Sequence, residues 1–197
     1  MRRLQFWFEF ASTYSYVAAS RVERVAGAAG VTVDWKPFLL GPIFRGQGWS
    51  DSPFNLYPVK GRYMWRDMER LCVNEGLPLK RPSQFPRNGL LAARVAALEE
   101  AGPWRAEFAR RIYAANFADD RDIGDPVVVG DVLESLGLRG AEILESAHGR
   151  ENKERLRLQT DEAVRLGIFG APSFVVGAEL FWGNDRLEQA VACCEDS

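Results

Sequence analysis

Leu4-Gln5-Phe6-Trp7-Phe8-Glu9-Phe10-Ala11-Ser12-Thr13-Tyr14-Ser15-Tyr16-Val17-Ala18 decides the fold. The aromatic first half reads as a buried strand, and the second half turns at small hydroxyl residues into an apolar helix. Ser12 stands at the turn. The first main-chain N–H groups of a helix lack intrahelical partners and lie at the positive end of its dipole, so an anion is favoured there. Ser12-x-x-Ser15 has the spacing of a Cys-x-x-Cys redox pair, with hydroxyls in place of sulfur. A serine cannot exchange disulfides, but it can donate a hydrogen bond to a thiolate supplied by another molecule. Ser and Thr are also common helix N-caps, and capping is the competing role.

Outward from that turn, Ala18, Val22, Val25, Ala26 and Ala29 share one helical face, and Gly30 is placed as a stop. Val31-Thr32-Val33-Asp34-Trp35-Lys36 then alternates apolar and polar until Pro37. Strand, helix and strand in this order imply a right-handed crossover and a parallel pair. Over residues 38–59 periodicity lapses among Gly41, Pro42, Gly46, Gly48, Pro53 and Pro58, which predicts a long irregular connection closed by Lys60-Gly61.

Residues 61–166 read as successive helices. Met64, Met68 and Leu71 mark one; Leu90, Leu91 and Val95 mark another, ending at Gly102. Pro103 opens a third, with Trp104, Phe108 and Ile112 on a common face, and Asp125-Pro126 starts a fourth. The last spans residues 151–166, with Gly167 as its stop. Strand signals return in Ser173-Phe174-Val175-Val176 and Glu179-Leu180-Phe181-Trp182 around Gly177-Ala178, and Gly183-Asn184-Asp185 caps a final helix. The prediction is an α/β protein with a four-stranded mixed sheet. Residues 1–60 and 155–197 form the sheet domain, and residues 61–154 form an all-helical insertion.

The 197-residue chain has 25 Lys and Arg against 27 Asp and Glu, a net charge of -2, so no global field draws it to nucleic acid. Arg62, Arg66, Arg70, Arg105, Arg110 and Arg111 are interleaved with acids and read as solvated helix faces. Cys72, Cys193 and Cys194 supply neither metal-ligand spacing nor a disulfide framework, so reduced thiols and no metal are expected. Met1-Arg2-Arg3 before an apolar run hints at a secretory signal, but Glu9 interrupts it. No stretch of about twenty apolar residues follows, and a cytoplasmic protein without membrane contact is expected. A Ser-His-Asp triad would need the sole histidine, His148, beside Ser12, whereas it falls in the helical block.

Four separated pieces resemble the 2-hydroxychromene-2-carboxylate isomerase family, which groups with kappa-class glutathione transferases in the DsbA-like branch of the thioredoxin superfamily. They are Phe8-Glu9-Phe10-Ala11-Ser12-Thr13-Tyr14-Ser15-Tyr16, Phe169-Gly170-Ala171-Pro172, Trp182-Gly183-Asn184-Asp185-Arg186-Leu187 and Pro58-Val59-Lys60-Gly61. Thr13 stands where the family usually has Pro, and Glu9 where it has Asp. The resemblance implies a thioredoxin-like sheet with a DsbA/kappa-type helical insertion.

It further implies a glutathione-dependent cis-trans isomerase in which Ser12 stabilises the glutathione thiolate. Pro172 would be cis, leaving the backbone of Ala171 free to pair with the extended tripeptide. Asn184 and Asp185 would hold the γ-glutamyl end, with plain capping as their alternative. Asn55 or Asp51, and Lys60, are candidates for the other end, and Asn88 could line the pocket of a small aromatic or chromene substrate. A homodimer is implied as well. The alternatives are a kappa-like transferase or peroxidase-like enzyme acting on other electrophiles, and a thioredoxin-like binding module without chemistry. The missing Cys-x-x-Cys argues against a dithiol oxidoreductase.

Overall fold

The computed structural model describes residues 2–195. β1 (Arg3–Phe8) carries Leu4, Phe6 and Phe8 fully buried in the main core, while Trp7 packs on the opposite face with Phe38, Ile43 and Val175. A strand covered on both faces has no wide polar side to present, which is why Leu4 and Phe6-Trp7-Phe8 are apolar, with Gln5 alone between them. β1 runs parallel to β2 (Thr32–Pro37) with Phe6 opposite Trp35, and antiparallel to β3 (Ser173–Val176) with Phe6 opposite Phe174. β3 pairs with β4 (Glu179–Trp182), so the order is β2-β1-β3-β4 and the mixed four-stranded sheet agrees with the prediction. α1 (Thr13–Ala28) buries Val17, Ala18, Val22 and Ala26, and the chain turns toward β2 at Gly30, whose φ of 66° favours glycine.

Residues 38–59 are not an irregular connection. They contain α2 (Leu40–Gly46) and α3 (Pro53–Leu56), and α4 (Pro58–Glu75) starts with Pro58 in its first turn. Lys60 and Gly61 therefore lie inside a helix. α2 is short and buries only Ile43, too little for a period to show through Gly41, Pro42 and Gly46. Gly61 permits the close approach of α3 and α4, because a Cβ there would collide with the Phe54 carbonyl oxygen.

α5 (Leu90–Ala97) stops short of Gly102 and is followed by a 3-10 turn, Glu99–Ala101. Pro103 lies in a turn, and α6 (Arg105–Phe117) begins after it with Phe108 and Ile112 buried. Arg105 is not a solvated charge: its Nε donates to the Ala96 carbonyl at 2.6 Å and Nη2 to that of Leu98 at 3.0 Å, satisfying the end of α5. α7 (Pro126–Ser135) starts as expected, Asp125 Oδ1 accepting the Val127 N–H at 2.9 Å. α8 (Gly140–His148) was not foreseen, and α9 (Arg150–Arg165) leads back to β3. The final helix, α10 (Leu187–Glu195), opens through a 3-10 turn, Asn184–Arg186. Gly183 precedes that turn at φ 113°, and no side chain caps it.

Candidate active site

Ser12 is the N-cap of α1, with φ -78° and ψ 117°. Its Oγ accepts the Ser15 N–H at 3.2 Å and donates to the Ala171 carbonyl at 3.0 Å. The capping role is therefore filled, yet a hydroxyl that accepts one bond still has a proton to direct elsewhere. The Ala171–Pro172 peptide is cis, and the Pro172 carbonyl accepts the Gly183 N–H at 2.9 Å. These bonds join the start of α1, the Ala171–Pro172 loop and the turn that opens the last helix. Helix geometry leaves the Thr13 and Tyr14 N–H groups beside Ser12 as unpaired donors. Ser15, by contrast, is fully buried against Tyr113.

α4 covers the first turn of α1. Thr13 Oγ1 donates to Met64 Sδ at 3.3 Å, and the Tyr14 hydroxyl donates to Asp67 Oδ2 at 3.0 Å. Burial, followed by the Asp67 carboxylate, raises the Tyr14 phenol above its ordinary range; Asp185 contributes too, which places its charge near this turn. On the strand side of Ser12, Glu9 Oε2 accepts the Ala11 N–H at 2.9 Å. Burial pushes the Glu9 carboxyl up to about 7 against the opposing pull of the Ala11 and Ser12 amides. Tyr113 donates to the Glu9 carbonyl at 2.9 Å and Asn116 Nδ2 to the Phe10 carbonyl at 3.2 Å, so α6 fixes the backbone of this turn.

Asn88 lies exposed at the rim, its Oδ1 accepting the Leu90 N–H at 3.0 Å. Its loop begins with a second cis peptide, Phe85–Pro86, and is anchored by the buried Arg87. That guanidinium pairs with Asp120 and donates to the carbonyls of Arg121 at 2.8 Å and Asn116 at 3.3 Å. The Ser83 N–H, then Arg87, holds the Asp120 carboxyl down at about 2. Asn55 Nδ2 donates to Asp51 Oδ2 at 3.0 Å and to the Phe85 carbonyl at 3.1 Å, tying α3 to the same loop.

The other proposed positions differ in what they face. Lys60 is exposed in the first turn of α4, 5.3 Å from the Tyr57 ring centroid. Asn184 is buried, and its carbonyl and Oδ1 accept from Arg21 at 3.3 and 3.4 Å, so its side-chain oxygen is turned to α1. Asp185 is exposed, 3.4 Å from Arg186. Ser12, Ala171 and Pro172 thus meet directly, Asp185 lies within electrostatic reach of Tyr14, and Asn55 joins the loop of Asn88. His148 is exposed at the end of α8. Glu9 was missed as a functional group, although an acid between the buried Phe8 and Phe10 was the available signal.

The family model for the DSBA-like thioredoxin domain matches residues 3–192. The chain belongs to the DsbA-like thioredoxin family. It is 28% identical over 189 residues to 2-hydroxychromene-2-carboxylate isomerase of Sphingobium xenophagum, covering 95% of each chain. It is 25% identical over 199 residues to glutathione S-transferase kappa 1 of Caenorhabditis elegans, covering 94% of this chain and 87% of that one. A solved 2-hydroxychromene-2-carboxylate isomerase superimposes with a TM-score of 0.86, at 24% identity, over 98% of this chain and 95% of that one.

In this DsbA-like domain the turn holds no sulfur: Cys72 is buried in α4 with its thiol pushed up to about 11 by burial, and Cys193 and Cys194 lie in α10. Among the described residues, no helix is long and apolar enough to cross a membrane. The site offers a hydroxyl donor, two first-turn amides, a carboxyl poised near neutrality and the main chain of Ala171. That set can hold an anion brought by a ligand. It has no nucleophile of its own activated by a neighbouring base.

Proposed function

We propose that the protein is a glutathione-dependent cis-trans isomerase of 2-hydroxychromene-2-carboxylate-type substrates. The observation that carries this reading is Ser12 Oγ at the start of α1, hydrogen-bonded to the Ala171 carbonyl beside cis Pro172. A sulfur anion fits there because the hydroxyl can donate to it and the unpaired first-turn amides lie beside that hydroxyl, and a charge-assisted hydrogen bond is about twice as strong as a neutral one. When bound, glutathione supplies a thiolate that adds reversibly to a conjugated, ring-opened substrate, so that bond rotation and loss of the thiolate give an isomer without net oxidation.

Ser12 holds the sulfur's negative charge by turning its proton from the Ala171 carbonyl toward the ligand. Once released, that carbonyl can accept from an extended peptide lying along the loop. Asp185 meets the ammonium group of the tripeptide, and Asn184, fixed by Arg21, shapes the helix start beside it. Asn55 and Lys60 reach its other end, and Asn88 bounds the substrate at the rim. Keeping thiolate and acceptor aligned supplies several kcal/mol through proximity.

The kappa transferase relatives favour a second reading, in which the same site serves other electrophiles. Calorimetric titration with glutathione of wild type and Ser12→Ala, followed by turnover of a chromene carboxylate against an aryl halide, separates the readings. Chromene turnover lost in the variant supports isomerisation, and turnover of the halide alone supports transfer. A protein that does not bind glutathione is neither.

A further inference from the structure

Glu9, half-buried beside Ser12, stands out among the titratable groups of the site because the reading above gives it no task. Its carboxylate and the place for a ligand anion lie at the same helix start. Oε2 takes the Ala11 N–H at 2.9 Å, on the turn that delivers Ser12. On the other side the Asn88 loop closes over it through Gly89, where a Cβ would stand 3.2 Å from Oε1 and 2.9 Å from Phe10 Cβ. The titratable group facing it from α6 is the Tyr113 phenol, which donates to the Glu9 main-chain carbonyl and is itself raised by burial and then by the charge of the Glu9 carboxylate. The cation of the Asn88 loop, Arg87, is committed to Asp120 and to carbonyls. Among the described residues no cation pairs with Glu9. The Glu9 carboxylate, on the Ala11 amide just before the N-cap, and a thiolate at Ser12 are therefore two anions on one turn. Like charges sharing a site do not both ionise freely, and they titrate as a pair.

Resting on the glutathione reading, we propose that Glu9 holds the proton of the bound thiol: the S–H bond breaks, an O–H bond forms on the Glu9 carboxylate, and a single negative charge remains against Ser12. No other reactant is needed, since proton and charge are conserved within the complex. The free carboxyl, near 7, is ionised and ready to accept at pH 8, but already occupied at pH 6.

The test counts protons by titrating glutathione calorimetrically in buffers of different ionisation enthalpy, with S-methylglutathione as the control for its other groups. With a thiol near pKa ~8.5 and Glu9 at about 7, wild type should release about one proton per ligand at pH 6 and about none at pH 8. Glu9→Gln should release roughly 0.8 at pH 8, and Glu9→Asp should restore the wild-type count. Wild type releasing most of a proton at pH 8 overturns the inference by itself, even if Glu9→Gln fails to fold. So does a Glu9→Gln protein that matches wild type at both pH values. In either case glutathione still binds and the functional reading survives. No binding by wild type removes both.

Discussion

Ser12→Ala tests how the site spends one proton. The hydroxyl donates to the Ala171 carbonyl at 3.0 Å and accepts the Ser15 N–H at 3.2 Å, so serving a thiolate means withdrawing its proton from Ala171. A hydrogen bond to a charged group contributes about 1.5–3 kcal/mol and a neutral one about 0.5–1.5. Taking like ends of the two ranges, the net gain on switching is about 1–1.5 kcal/mol, which at about 1.36 kcal/mol per unit raises the bound thiol's pKa by roughly 0.7–1.1 units in the alanine variant. The assay is the ultraviolet absorbance of the glutathione thiolate on the protein, followed against pH, with Ser12→Thr restoring the donor. Losing the cap also costs about 0.5–2 kcal/mol of stability, so thermal melts must confirm that the variant is folded at the assay temperature. An unmoved titration would mean the hydroxyl never leaves Ala171. A rise well beyond two units would mean it gives up nothing to serve the ligand, and the exchange argument would fail.

Glu9→Gln should change how stability depends on pH. The carboxyl's ordinary value is 4.5 and burial raises it to about 7, so its stabilising contribution is complete below about 4.5 and lost as pH rises through about 7. Urea titrations should show that decline in wild type and its absence in the variant; parallel curves contradict the assignment. Arg87→Met should blunt the opposite effect at Asp120, whose depressed carboxyl stabilises above about 3.8 and loses that contribution as pH falls through about 2. The acid-unfolding midpoint should therefore rise, and an unchanged midpoint counts against the pair. Gly61→Ala drives a Cβ into the Phe54 carbonyl and should cost about 1–3 kcal/mol. Gly27→Ala, with nothing within 4 Å, should gain up to about 1 kcal/mol from helix propensity. Denaturant midpoints that move in the same direction would refute the distinction.

The sheet was legible because β1, β2, β3 and β4 each carry their own signal: a doubly buried aromatic run, a period-two stretch ended by Pro37, and a short apolar pair around Gly177. α2, α3 and α8 were not, because short helices bury few side chains, and in α2 and α3 glycine and proline also mimic loops. Pro103 was misplaced because proline is as suited to a turn before a helix as to its first residue. In the site, Ser12 could be found from one turn alone. Its bond to Ala171 could not, because no local pattern encodes a contact between residues so far apart in the chain. Asn184 reads as a ligand-holding amide in sequence, and only the fold reveals that Arg21 has claimed its oxygen. Glu9 was visible as an oddity, but its meaning depends on Gly89 and Tyr113, which arrive from other elements.

The antiparallel pairing of Gln5 with Val175 has a consequence during synthesis. A ribosome adding about 5–20 residues per second delivers β3 roughly 10–35 seconds after β1 has emerged. Until then one edge of the Phe6-Trp7-Phe8 strand is open to any extended chain nearby, the kind of edge that invites aggregation. Early helices such as α1 and α4 can shield its faces meanwhile, but not its unpaired amides and carbonyls. The nascent chain is thus most exposed to mispairing, and most dependent on chaperones, just before β3 appears.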